Sequence, residues 1–287
     1  MLSVNHEQLN MLDKITVKPL GAIRILLVGD VVGTPGLNMC TKWFKKIQQD
    51  CAVDGIVVNG ENSAKDGRGI TDATLRTLLE AGANMISTGN HVWRHQEFYA
   101  ILNSSSSVVR PANFPAGAPG HGFAVFQIGS VKVAVLNLLG RVFLKEHTSC
   151  PFITAQELLP KIKAVADIIL VDFHAETTSE KSALGFFLDG QVAAVFGTHT
   201  HVQTADQRVL PFGTAFMTDL GCVASLNSCL GVQKEIVIEM LRTQLPARFK
   251  VAVEPPFVLS GAIVDINPAT GLAINIEALR IVDDFLN

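Results

Sequence analysis

The sequence predicts an α/β fold: a mixed sheet or two-sheet sandwich flanked by helices. Three observations carry this. From Ile23 onward, short apolar runs rich in branched residues alternate with segments of helical length and spacing. The runs have no polar alternate face, so both of their faces must be covered. Two hairpins, turning at Gly129-Ser130 and at Asn267-Pro268-Ala269-Thr270-Gly271, add antiparallel pairing that a purely parallel sheet lacks.

In chain order, the first strand is Ile23-Arg24-Ile25-Leu26-Leu27-Val28, ended by Gly29-Asp30. Asp54 to Val58 follows, ended by Asn59-Gly60-Glu61-Asn62, then Asn84 to Ser87, ended by Thr88-Gly89-Asn90-His91. Asp167 to Phe173 runs into His174, and Val192 to Phe196 into Gly197-Thr198-His199-Thr200-His201. Helices are predicted over about Leu37–Gln49, Thr71–Ala81, Gln96–Leu102 and Thr154–Ala166; Thr71 is the natural N-cap and Gly82 the natural stop of the second. The hairpin strands are Phe123–Ile128 with Val131–Leu138, and Phe257–Ile266 with Leu272–Val282. Residues 1–22 read as an N-terminal extension of unreadable purpose, and 23–287 as one catalytic domain. A small cap insert around Lys65–Gly69 or His95–Phe114 is compatible with the pattern.

Composition narrows the function classes. With 48% hydrophobic residues the chain of 287 can bury a large core. A net charge of −3 and no basic stripe argue against tight binding to duplex nucleic acid. Five cysteines, never spaced C-x-x-C, argue against a disulfide framework or zinc ribbon and for a cytoplasmic location. No apolar run is long enough to span a bilayer. A small phosphodiester substrate is compatible with this charge, and so is a homo-oligomer.

The polar residues that matter all sit where strands end: Asp30, Glu61, Asn62, Asn90, His91, His174, His199 and His201. In open α/β sheets ligands bind beyond the carboxyl ends of the strands. Each motif alone has an ordinary explanation: Asp30 as a cap, Asn59-Gly60 as turn chemistry, His174 as a bonded core histidine. Five such strand ends together make a metal-ligand inventory of two carboxylates, two amides and four imidazoles. Imidazole with carboxylate and amide oxygens suits Fe, Mn and Zn, and a carboxylate can bridge two ions. A pair about 3.5–4 Å apart can share a hydroxide and clamp a phosphoryl group. His199 and His201 would chelate one metal if extended, or serve two if the backbone is irregular. His6, His95, His121 and His147 are read as packing or surface groups, His95 with a supporting role as the alternative.

Gly29-Asp30, Asn59-Gly60-Glu61-Asn62, Gly89-Asn90-His91, His174 and Gly197-Thr198-His199-Thr200-His201, in that order, resemble the signature of calcineurin-like metallophosphoesterases. Val32 stands where that signature has a histidine, and Glu61 where it has a bridging aspartate. Those departures, with Gly29-Asp30-Val31-Val32-Gly33, Asn137 to Phe143, Asp172 to Lys181 and Thr218-Asp219-Leu220-Gly221, resemble the YmdB-type bacterial 2′,3′-cyclic-nucleotide phosphodiesterases across about residues 23–283. Cys222 follows where a methionine is expected. The resemblance implies a calcineurin-like fold and two ions, Fe or Mn. One would be held by Asp30, Glu61, Asn62 and His201, the other by Glu61, Asn90, His174 and His199. His91 would act on substrate rather than bind metal. The implied activity is hydrolysis of phosphate diesters, 2′,3′-cyclic nucleotides foremost, by a metal-bridging hydroxide. The alternatives are a phosphomonoesterase, with Arg141 as a specificity residue of unknown placement, and a metal-binding regulatory protein of RNA metabolism. A mononuclear zinc hydrolase needs only three protein ligands, and seven are present.

Overall fold

The computed structural model describes residue 12 and residues 15–284. The start of the predicted extension, residues 1–11, 13 and 14, lies outside the described residues. Its end is tied down, with Thr16 N–H donating to Glu277 Oε2 (3.2 Å).

Ile23–Val28 forms β1, followed after Gly29 by a two-residue strand β2, Asp30–Val31, and helix α1, Gly33–Asp50. Then come β3 (Gly55–Asn59), α2 (Asp72–Ala81), β4 (Met85–Ser87), a 3-10 turn at Gln96–Phe98 and α3 (Tyr99–Ser104). The hairpin β5 (Phe123–Ile128) and β6 (Val131–Leu139) precedes α4 (Pro151–Lys163), β7 (Ile168–His174), α5 (Thr178–Phe187) and β8 (Ala194–Thr198). The chain ends with β9 (Arg208–Val209), β10 (Ala215–Met217), β11 (Cys222–Ser225), α6 (Lys234–Thr243), β12 (Phe257–Asn267) and β13 (Leu272–Asp283).

Local chemistry accounts for the borders. The Thr71 hydroxyl accepts from the Thr74 N–H, Thr74 reciprocates to the Thr71 N–H, and Gly82 at φ 121° stops α2. Helix α1 begins earlier than its periodicity suggests, because Pro35 and Gly36 are buried against the sheet rather than forming a loop. Helices α5 and α6 go beyond the sequence expectation; on α6 every residue is at least partly exposed, so it has no buried stripe to read.

Two mixed sheets result, of order β2-β11-β12-β1-β3-β4 with β13 on β12, and β5-β6-β7-β8-β10-β9. Alternate residues of β1 divide the core. Ile25 and Leu27 point between the sheets, where they meet Val135, Leu170 and Phe196 of the second sheet. Leu26 and Val28 point outward into the layer of Phe44, Ile47 and Leu78 from α1 and α2. Helices α4 and α5 cover the outer face of the second sheet. Uniformly apolar strands are what such double coverage requires.

Candidate metal centre

The five strand ends come from both sheets: β1, β3 and β4 from one, β7 and β8 from the other. Their carboxyl ends meet where the sandwich opens, rather than along one rim of a single sheet. Close backbone approach makes this possible. A Cβ on Gly29 would lie 1.9 Å from the Gly221 carbonyl oxygen, and one on Gly197 1.8 Å from that of Thr218. A Cβ on Gly89 would lie 2.3 Å from Glu61 Oε2 and 2.4 Å from His174 Nε2. Glycine is obligatory wherever the chain passes this close.

One set of lone-pair atoms surrounds His174 Nε2: Glu61 Oε1 at 3.0 Å, Asn90 Oδ1 at 3.1 Å and His199 Nδ1 at 3.1 Å. Glu61, His174 and His199 each offer one ligand atom, and these lie within 4.8 Å of one another. A second set faces His201 Nε2, with Asn62 Oδ1 at 3.3 Å and Asp30 Oδ1 at 3.8 Å. Glu61 Oε2 accepts the His91 N–H (3.1 Å), which sets the direction of that carboxylate.

The far side of each imidazole is occupied. Thr198 Oγ1 donates to Asp172 Oδ1 (2.7 Å) and accepts from His174 Nδ1 (2.9 Å). His199 Nε2 meets Glu176 Oε2 at 3.0 Å, and His201 Nδ1 meets the Leu230 carbonyl at 2.9 Å. With the outer nitrogen donating, the inner one keeps its lone pair for a cation. The Asn62 amide nitrogen donates to the Gly67 carbonyl (3.0 Å), which turns its oxygen inward.

This donor set fits divalent ions. Asp30 Oδ1 is buried without a hydrogen-bond partner, an arrangement a protein avoids unless something else supplies the positive charge. The titration of the bare cluster tells the same story. Burial pushes the Asp30 carboxyl up to about 6 despite His201 and His174 nearby. Burial also opposes ionisation of Glu61, but the adjacent His174 outweighs it and brings that carboxyl down to about 2. His174, though buried, is raised to about 9 chiefly by Glu61. His199 falls to about 3 through burial and the charge on His174. A proton lodged on His174 thus partly balances the carboxylates where a cation would sit.

The sequence-predicted residues are all brought together: the seven donors, and His91 at the wall of a cleft of about 420 Å³ above them. His199 and His201 sit on irregular backbone, at φ 97° and 63°, and point into different donor sets. The extended arrangement considered above does not occur. Arg141 is outside the group lining the cleft and its backbone N–H binds Glu180 Oε1 (2.9 Å), whereas His95 braces the cleft by meeting the Arg68 carbonyl at 3.0 Å.

Supporting residues inside the motif segments had no role assigned from the sequence. Buried Asp172 collects Ser87, Thr198 and Asn59, and the Asn59 side chain in turn accepts the Glu61 N–H. In the sequence Asp172 stands out as a carboxylate within the strand Ile168–His174. Asp219 accepts Lys181 Nζ at 2.6 Å, the Thr200 N–H at 3.1 Å and the Thr200 hydroxyl at 2.7 Å. It thereby anchors the residue between His199 and His201.

A two-sheet α/β sandwich with asparagine, histidine and carboxylate donors at its strand ends defines the calcineurin-like metallophosphoesterase fold. Within that class the chain belongs to the YmdB-like protein family, whose model matches residues 26–279. It is 43% identical over 264 residues to the 2′,3′-cyclic-nucleotide 2′-phosphodiesterase of Bacillus subtilis (strain 168), covering 92% of this chain and 99% of that one. Among solved structures it is similar to a protein from Thermus thermophilus, with 36% identity and a TM-score of 0.85, covering 91% of this chain and all of the other (100%). It is equally similar to a Mycoplasma pneumoniae structure described as a novel phosphatase, with 35% identity and a TM-score of 0.85 over 92% and 94% of the two chains.

Proposed function

We propose that the chain is a two-metal phosphodiesterase that opens the cyclic phosphate of 2′,3′-cyclic nucleotides. The observation that carries this is the pair of donor sets gathered at the strand ends, one around His174 Nε2 with Glu61, Asn90 and His199 and one around His201 Nε2 with Asn62 and Asp30. Asp30, Glu61, Asn62 and His201 would hold one ion, and Glu61, Asn90, His174 and His199 the other, with Fe or Mn the best match to this nitrogen and oxygen set. Bound there, the ions would neutralise phosphoryl charge and acidify water.

The chain's own residues do the rest. Phosphate enters the cleft beside His91, the one imidazole of the group with neither ring nitrogen in a donor set. A water oxygen adds to phosphorus as the P–O2′ bond breaks. His91 gives its proton to the departing 2′ oxygen, the proton lost by the water restores His91, and a 3′-phosphomonoester results. The 43% identity to the Bacillus enzyme supports the choice of cyclic nucleotides. The Mycoplasma likeness favours testing monoesters beside them.

Among the described residues no helix is long and apolar enough to cross a membrane, and all five cysteines are free thiols, which supports a cytoplasmic enzyme. Residues 23–287 are proposed to act as one catalytic domain. The test is metal analysis of protein purified without chelators, paired with turnover of 2′,3′-cyclic nucleotides, bis(p-nitrophenyl) phosphate and nucleoside monophosphates. About two ions per chain and fastest turnover of the cyclic nucleotides are expected. A metal-loaded protein inert to the whole panel would overturn the assignment.

A further inference from the structure

Metal-assisted hydrolysis of a phosphate needs charge and donors, yet much of the cleft wall is apolar and aromatic. Phe249, Val251 and Leu230 contribute to it, and Arg68 lies over the Phe249 ring with its guanidinium carbon 5.7 Å from the ring centre. Both groups are at least partly exposed to the cleft and solvent, so burial does not explain their choice.

Their positions are fixed by the backbone. The Gln233 N–H donates to the Lys250 carbonyl (2.9 Å) and the Ala252 N–H to the Gly231 carbonyl (2.8 Å), so the strip carrying Phe249 is clamped at two points. Val251 packs on Val32, Cys222 and Ala224. Arg68 follows Gly67, at φ 77°, where a Cβ would come within 2.9 Å of Val251. The Gly67 carbonyl is the one that orients Asn62, and the Arg68 carbonyl is held by His95. The aromatic wall and the donor cluster are therefore joined by one short, tightly packed path, with the reach between them preset.

An aromatic ring and a guanidinium plane are the two side-chain surfaces on which unpaired nucleobases stack, whatever the base, because every base presents a π-face. We propose that Phe249 and Arg68 form a nucleobase-stacking wall that holds the nucleoside while its cyclic phosphate lies over the donor cluster, a role that rests on the cyclic-nucleotide function proposed above. The wall makes the enzyme selective for nucleoside esters over small diesters at large and tolerant of base identity.

The test compares adenosine 2′,3′-cyclic phosphate with ribose 2′,3′-cyclic phosphate, which lacks the base, on the metal-loaded wild type, Phe249→Ala and Phe249→Trp. Metal content of each variant is measured first, to show that the donor cluster is intact. Loss of one stacking surface should raise KM for the nucleoside ester on the order of tenfold more than for the base-free ester. Calorimetric binding of adenosine 3′-monophosphate should weaken in parallel in Phe249→Ala and return in Phe249→Trp. Equal changes for the two esters, or unaltered binding of the 3′-monophosphate, would overturn the stacking wall. A wild-type enzyme that cleaves bis(p-nitrophenyl) phosphate but neither cyclic ester would overturn the underlying substrate assignment, a result distinguishable because it needs no variant.

Discussion

Replacing Lys181 by methionine probes how the histidine loop is held. Lys181 and Asp219 are each 1% exposed as side chains and meet at 2.6 Å. Removing one partner of such a pair strands a buried charge and costs about 3–5 kcal/mol. At about 2.1 cal/mol/K of unfolding entropy per residue, a chain of 287 residues should lose about 5–8 °C in Tm. The measurement belongs on metal-stripped protein, so that linkage to metal binding does not enter. The loop should suffer as well, because Asp219 also anchors Thr200 between two histidines at φ 97° and 63°. Such positive-φ positions persist only while their surroundings enforce them. Loss of a supporting partner of this kind weakens metal affinity about 10–100-fold. Asparagine at 219 in the double variant Lys181→Met/Asp219→Asn removes the stranded charge and keeps an acceptor, so more than half of the lost stability should return. Differential scanning calorimetry and competitive metal titration supply both readouts. A single variant within about 1 °C of wild type, with unchanged metal affinity, would refute this account.

The remaining expectations concern the cluster itself. Glu61→Gln should abolish metal retention and turnover together, measured by elemental analysis and the substrate panel; full metal content in this variant would contradict the bridging role. His91→Ala should keep its metal and lose about 10²–10⁴-fold in turnover, the range for a missing proton donor; a metal-free product would move His91 into the ligand set. Gly89→Ala should lose metal while still folding, since its Cβ would displace both Glu61 and His174; elemental analysis beside circular dichroism reads both. Metal binding should release a proton near neutrality. His174 in the bare protein is raised to about 9, chiefly by Glu61 against the effect of burial, so it is protonated below that pH and must shed the proton to bind a cation. Affinity should therefore rise as pH climbs from 7 to 9, about tenfold per unit. Calorimetry in buffers of different ionisation enthalpy would reveal a flat profile if the proton is absent.

Much of the fold was legible because its forces are local. The limits of β1 follow from six apolar-rich residues closed by Gly29-Asp30, and α2 announces itself through Thr71 and Gly82. The candidate donors were legible for a related reason: a polar residue placed directly after an apolar strand is conspicuous, and five such strand ends occur in order. Other features arise only when distant segments meet. That β1, β3 and β4 belong to one sheet and β7 and β8 to another depends on pairing choices that uniformly apolar strands leave open. Which donor set each histidine joins depends on positive φ angles enforced by Asp219 and Lys181, neither marked by spacing. Phe249 and Arg68 are brought together from loops 181 residues apart in sequence (249 against 68), in segments with no periodicity at all. The sequence by itself thus determined which residues are candidates for the chemistry, since apolar burial and strand ends are local properties. Only the tertiary structure decided how they are partnered, since contacts between distant segments form after the chain has chosen its sheets.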